Sequence, residues 1–215
     1  MMNASESRDS LLALARRLVE SVAAPALAPY LAEWPAADGT RAAPAGRPAP
    51  RRVNAPPTPP VLRWLPHIAA DAHSFGAPLV AALCRAAPLL TWHQTYTTRD
   101  LEGSFLQNYA FTEILGPRGP SAGERVACGM LLLGPQTLYP PHRHEAEEIY
   151  VPLSGTADWQ QGDALWRQHA PGALIHHLSE EPHAMRTREN PLLALYLWRS
   201  ADLSQHARLD RRSAG

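Results

Sequence analysis

No run of apolar residues in this chain is long enough to span a bilayer, so a transmembrane helix is not expected. Charge of one sign is not in excess: 20 Lys+Arg stand against 20 Asp+Glu in 215 residues. A protein that binds nucleic acid or a membrane surface carries a basic excess, so neither partner is expected. Cysteine is scarce. Cys84 and Cys128 lie far apart in apolar surroundings, which excludes a disulfide framework and reads as two reduced core thiols. The opening residues, Met1 to Ser10, lack a charged-then-apolar leader, and a cytoplasmic protein is expected. What the chain does have is length enough for one core with an extension, 22 prolines, and 10 histidines crowded toward its second half.

The prolines divide the chain. Residues 1–34 read as an N-terminal helix with Leu11, Leu14, Ala15, Leu18 and Val22 at helical spacing, broken near Ala24 by Pro25 and Pro29. Residues 35–60 form a Pro/Ala/Arg-rich linker that cannot bury a core, so the rest of the chain is expected to fold without the first helix. Residues 61–124 read as a helical cap region, with helices over 61–72 and 75–89. From 125 the character changes. Val126, Cys128, Met130 and Leu132 alternate with Ala127, Gly129, Leu131 and Leu133, a strand apolar on both faces. Short strands parted by Gly and Pro turns continue to 203 and indicate an all-β sandwich or barrel; 204–215 read as a C-terminal tail.

One stretch inside the barrel carries chemistry: Tyr139-Pro-Pro-His-Arg-His-Glu-Ala-Glu-Glu-Ile-Tyr150. A lone histidine on a strand is ordinarily a surface or hydrogen-bonded residue. Here His142 and His144 share one face of an extended strand, and Glu148 and Tyr150 share a face in the same way. Two imidazoles and a carboxylate can then converge on one point. That ligand set suits one divalent transition metal: Zn, Fe, Mn, Ni or Co.

Gly134, His142, His144, Glu148 and Gly155 resemble the first motif of the cupin superfamily, without a gap from His142 to Gly155. The interval from Gly134 to His142 is longer than usual. Leu178-Ser-Glu-Glu-Pro-His183 takes the place of the second motif, with Leu178 and Glu180 where proline and glycine are expected and no downstream asparagine. The resemblance implies a mainly-β fold: a cupin jelly-roll barrel with N-terminal helices packed outside and the metal in its mouth. It also implies His183 as the fourth ligand beside His142, His144 and Glu148. A narrower resemblance covers about residues 60–203. Trp92-His-Gln-Thr-Tyr96, the segment Leu132–Trp159, and Pro182–Thr187 with Pro191–Trp198 look like the cupin-type dimethylsulfoniopropionate lyases. Tyr150, two residues after the carboxylate, is a feature of that family.

That resemblance implies β-elimination of a small sulfonium acid, with dimethyl sulfide leaving and acrylate remaining. Tyr150 is the implied base and Tyr139 the second candidate. Three positions separate Tyr139 from His142, so it reaches the site only if Pro140-Pro141 breaks the strand alternation. A sulfonium offers no hydrogen-bond donor, and an aromatic box answers it; Trp92, Tyr96, Tyr109, Trp159, Tyr196 and Trp198 are available. His169, His176 and His177 read as structural or as neighbours of the ligands, and Arg186 as a partner for a carboxylate. A small-molecule substrate and, from the resemblance alone, a homodimer are expected. Two other readings use the same ligands: an Fe or Mn oxygenase or isomerase, and a non-catalytic cupin that binds a small acid.

Overall fold

The computed structural model describes residues 4–35 and 58–210, so most of the expected linker and the end of the tail lie outside the described residues. Five helices precede or punctuate the strands: α1 (Ala4–Val22), α2 (Ala28–Ala32), α3 (Leu65–Ala70), α4 (Ala77–Ala86) and α5 (Gly103–Gln107). The break expected near Ala24 is present. Ala23 turns into the left-handed region at φ 50°, and Pro25 opens a single 3₁₀ turn before α2.

The strands are β1 (Trp92–His93), β2 (Tyr109–Leu115), β3 (Val126–Leu133), β4 (Leu138–Arg143), β5 (Glu147–Ser154), β6 (Ala157–Gln161), β7 (Arg167–His169), β8 (Ile175–His177), β9 (His183–Thr187), β10 (Leu192–Arg199) and β11 (Arg208–Leu209). They form a six-stranded sheet, β1-β2-β3-β10-β5-β8, and a five-stranded sheet, β11-β4-β9-β6-β7. The architecture is the mainly-β jelly-roll barrel with helices outside that the motifs implied.

The strands apolar on both faces have two cores to serve. Val126, Cys128, Met130 and Leu132 of β3 face the helices, while Leu131 and Leu133 face the barrel interior. The same parity runs through β5, where Ile149, Val151 and Leu153 face out and Tyr150 faces in, and through β10, where Leu193, Leu195 and Leu197 face out and Tyr196 faces in. Each large side chain so buried stabilises the fold by about 1.5–3 kcal/mol. The outer core is shared with α1 and α4: Leu11, Ala15, Val19, Val80 and Leu83 are all fully buried in it. The first helix is therefore not separate from the barrel, contrary to the reading from the linker.

Two boundaries also move. Tyr109–Leu115, expected inside a helical cap, is β2, paired along its length with β3. Its buried Thr112 and Glu113 disguise the apolar pattern, and the register slips between Glu113 and Leu115. In the expected tail, Arg208–Leu209 pairs with Arg143 and His142 of β4.

At the end of the first motif glycine is obligatory. Gly155, the last residue of the first motif, has φ 76°, and a Cβ there would lie 2.0 Å from the Pro191 carbonyl oxygen.

Candidate active site

The site begins with a bulge in β4. Regular alternation would put Tyr139 and His142 on opposite faces. Against β9, however, Tyr139 pairs with Met185 and His142 with His183, so the β4 side carries one extra residue. Pro140 and Pro141 lack the N–H groups that would hold the ladder in step. The bulge turns both side chains inward, and their rings stack with centroids 3.8 Å apart and planes 4° from parallel.

Three histidines are then oriented alike. The Nδ1 of His142 lies 2.9 Å from the Pro140 carbonyl, that of His144 2.8 Å from Ala146, and that of His183 2.9 Å from Glu181. A carbonyl only accepts, so each Nδ1 carries the hydrogen and donates it. The Nε2 lone pairs are left to face the interior. His144 Nε2 and His183 Nε2 approach the same carboxylate oxygen, Glu148 Oε2, at 2.9 and 3.3 Å. Lone pairs cannot meet at that distance without a proton or a cation between them. His144, Glu148 and His183 are each at most 2% exposed, and their ligand atoms all lie within 4.8 Å of one another. This is a donor set that fits a divalent metal, with backbone carbonyls fixing the tautomers as metal-binding histidines require. His142 stands outside that group of three, its ring 4.2 Å from the His183 ring.

Glu148 is held from the other side by Trp198, whose Nε1–H donates to Oε1 at 2.6 Å. The two residues sit opposite one another in the β5–β10 register. Burial opposes its charge, but the imidazoles of His144 and His183 win and hold its carboxyl well below the usual carboxylate range. Burial, followed by the nearby His183, keeps His142 well below the usual imidazole value.

Tyr150, opposite Tyr196 in the β5–β10 register, is 4% exposed. Burial first, and the Glu148 charge second, raise its phenol well above the usual value. Tyr139 is raised in the same direction by burial and by the phenols around it, and its hydroxyl donates to Tyr96 at 3.3 Å.

These residues meet at one cavity of about 490 Å³, counting the solvent at its mouth. Tyr139, His142, His144, Glu148 and Tyr150 line it, with Tyr109, Tyr196 and Trp198 of the expected aromatic set. His183 reaches the cluster through Glu148 rather than the cavity wall. Tyr96 opens on an adjoining cavity. Two expected box residues do not reach the cavity. Trp92 belongs to the outer core and donates its Nε1–H to the Ala87 carbonyl at 3.1 Å. Trp159 is buried behind Tyr150, ring centroids 5.0 Å apart. Of the remaining histidines, His177 is fully buried and stacks on His183 at 4.1 Å, so it is a neighbour of the ligands. Burial, with His183 beside it, pushes its pKa down to about 2. His176 pairs with Glu147 at 2.7 Å. Arg186 meets a carboxylate, Asp158, at 2.9 Å, outside the cavity.

Sequence reasoning missed Phe111, Glu113, Arg118 and the segment Gln205–Ala207, all of which line the cavity. The alternation of Tyr109, Phe111 and Glu113 was the available signal for the first two. The departure at Glu180 proves to be local. Glu180 adopts φ 62° where the cupin motif has glycine, and its N–H donates to the His144 carbonyl at 2.8 Å. The turn is kept, at a cost of about 1 kcal/mol for a residue with a Cβ.

Comparisons with known proteins agree with this geometry. The family model for dimethylsulfoniopropionate lyase matches residues 40–194. DddL of Cereibacter sphaeroides, provisionally named a dimethylsulfoniopropionate lyase, is 38% identical over 123 residues, 56% of this chain and 50% of its own length. The dimethylsulfoniopropionate lyase DddQ of Ruegeria pomeroyi is 35% identical over 118 residues, 55% of this chain and 59% of its own length. The matched region thus spans only half to three-fifths of these two relatives. A chain from the crystal structures of the DMSP lyases RdDddP and RnDddQII superposes with a TM-score of 0.78 at 30% identity, covering 97% of this chain and 100% of that one.

Proposed function

From its membership of the dimethylsulfoniopropionate lyase family, to which this chain belongs, we propose that the protein cleaves dimethylsulfoniopropionate or a close relative by β-elimination. A proton leaves the carbon next to the carboxylate, the C–S bond breaks with its electron pair going to sulfur, and dimethyl sulfide and acrylate result. The observation that carries this reading is the His144, Glu148 and His183 cluster, which meets the cavity through His144 and Glu148 beside the buried phenols Tyr139 and Tyr150.

In this reading His144, Glu148 and His183 hold one divalent ion, with His142 adjacent. The ion, when bound, supplies Lewis-acid stabilisation of the negative charge that develops next to the substrate carboxylate. The chain does the rest. Trp198 fixes one oxygen of Glu148, so that the other stays between the two imidazoles. Tyr150 accepts the substrate proton at its phenolic oxygen. It can do so only once ionised; burial and the Glu148 charge both favour the protonated phenol, and an ion held at Glu148 would offset the second of these effects. Tyr139, which donates to Tyr96, orients the neighbouring imidazole and substrate. Phe111, Tyr196 and Trp198 offer ring faces to the sulfonium and exclude water from it.

Gas chromatography of the headspace over purified, metal-loaded protein with dimethylsulfoniopropionate tests the reading. Dimethyl sulfide in step with acrylate is expected. Tight binding of the acid with no sulfide released would sink it in favour of a non-catalytic small-acid binder.

A further inference from the structure

The reading above does not use a buried ion pair at the cavity mouth. Glu113 is 4% exposed and lines the cavity. Its Oε1 accepts from the backbone N–H of Arg118 at 2.5 Å and of Gly119 at 3.0 Å, and its Oε2 lies 3.6 Å from the Arg118 guanidinium. The turn between β2 and β3, and the root of the Arg118 side chain, are fixed by these contacts. The guanidinium is then given over to backbone. It donates to the carbonyls of Leu203 at 3.4 Å, Ser204 at 3.1 Å and Gln205 at 3.2 Å, and lies 3.4 Å from His206 Nδ1. A planar fork spread over consecutive carbonyls fixes the path of a segment whatever its side chains are.

That path crosses the cavity. Gln205, His206 and Ala207 line it alongside His142, Glu148 and Tyr150. Beyond them, Leu209 pairs with His142 itself. Between its apolar anchors, buried Leu203 and Leu209 packed on the inner core, the segment has little apolar contact: Ser204, His206 and Arg208 are exposed. Its other ties are polar, from Gln205 to Glu145 and from Arg208 to Glu180. A stretch with few buried apolar contacts opens at low free-energy cost, so the Arg118 clamp matters to where it sits.

We infer that Arg118 is a specificity-determining positioning residue: by pinning residues 203–207 it makes that segment the cavity wall that limits the size of the sulfonium substituents. The inference rests on the proposed lyase reading. With the substrate carboxylate drawn to the His/Glu cluster, the sulfonium end of so short a molecule is left to the aromatic rings and this wall. The sequence supplies the clamp from Gly116–Gly119, far from the segment it holds.

The test uses the full chain with Arg118→Ala and Arg118→Lys, and two substrates, dimethylsulfoniopropionate and its diethyl analogue. In Arg118→Ala, metal content stays at the wild-type level, and KM for the dimethyl acid rises about tenfold while kcat moves by less than about threefold. Selectivity for the diethyl over the dimethyl acid, as a ratio of kcat/KM, rises about tenfold, the usual worth of a few methylenes in an apolar pocket. Trypsin cleavage after Arg208, followed by mass spectrometry, accelerates. Lysine cannot span three carbonyls, so Arg118→Lys follows alanine rather than restoring the wild type. Should Arg118→Ala fail to fold, Ala207→Leu alters the wall directly and shifts the selectivity the opposite way. An unchanged selectivity ratio in the folded variants, with unchanged cleavage at Arg208, overturns the inference. Calorimetric binding of the two acids separates it from the lyase reading. Size-dependent binding without sulfide release removes the lyase and keeps the wall; sulfide release with an unaltered ratio removes the wall alone. A wild-type protein that binds neither acid overturns both.

Discussion

The ring of Tyr139 lies flat on the ring of His142, with centroids 3.8 Å apart and planes 4° from parallel. The stack exists because two prolines insert a bulge, and it separates the roles of the two candidate phenols. Tyr139 is packed face-on and donates its hydroxyl proton to Tyr96. Tyr150, two residues beyond Glu148 on β5, hydrogen-bonds to that carboxylate instead of to another phenol, which puts its oxygen beside the His/Glu cluster.

Tyr150→Phe is therefore expected to lower the rate of sulfide release by about two to four orders of magnitude, the usual worth of a positioned general base. Metal content should stay near that of the wild type, since the ring and its packing remain. Tyr139→Phe keeps the stack and loses one hydrogen bond, and should cost less than about tenfold. Headspace rates and elemental analysis on the two variants decide between them. A dead Tyr139→Phe beside an active Tyr150→Phe would transfer the base role to Tyr139.

The wild-type protein is expected to hold about one divalent ion per chain, and His144→Ala or Glu148→Ala should abolish it, because each removes a donor from a three-residue cluster. Trp198→Phe removes the N–H that fixes Glu148 Oε1 and keeps most of the aromatic volume. Metal affinity should fall about 10- to 100-fold, as when an outer partner of a ligand is lost. Competition with a chelating dye measures both. Full occupancy in Glu148→Ala would overturn the ligand assignment.

Asp158 supplies a pH signature away from the cavity. It is 3% exposed, and its Oδ2 accepts from Arg186 at 2.9 Å and from Arg188 at 2.9 Å. Burial raises its pKa, but the two guanidinium groups outweigh that and leave it below the ordinary value. The folded state then binds fewer protons here than the unfolded state. The stabilisation is complete above the unfolded pKa of about 3.9 and is lost as pH falls from there through the lower pKa of the folded state. Asp158→Asn should cost about 1 kcal/mol at neutral pH. The difference in melting temperature between the variant and wild type should close below about pH 4. A difference that does not change with pH would refute this account.

Deleting residues 1–35 removes Leu11, Ala15, Leu18 and Val19 from the outer core, where none is more than 7% exposed. Uncovering α4, β2 and the outer core they share should lower the melting midpoint by more than about 10 °C or abolish the cooperative transition. An unaltered calorimetric profile would mean that the first helix contributes nothing to the barrel.

Much of the site was legible because it is written locally. His142, His144, Glu148 and Tyr150 lie within nine positions, and strand parity alone sets which of them share a face. The double-sided apolar pattern of β3 announced a strand buried on both faces. Gly155 announced a turn that tolerates no Cβ. The sequence also held the two prolines beside Tyr139, but it left open whether they break the alternation. That depends on the register against β9, which is a pairing between residues more than forty positions apart. The same limit explains the rest. Trp92 and Trp159 carry the right chemistry for the cavity, yet the packing of other elements takes them elsewhere. β2 was hidden because Thr112 and Glu113 interrupt its apolar pattern; their burial is satisfied by the Thr91 carbonyl and by the N–H groups of the turn at Arg118 and Gly119, a fold that no periodicity shows. Arg118 reaches carbonyls more than eighty residues away. Residue type and short-range spacing determine which side chains can bind a metal or take a proton. Which of them face the same few cubic ångströms is decided by long-range pairing and packing, whose energies no local pattern contains.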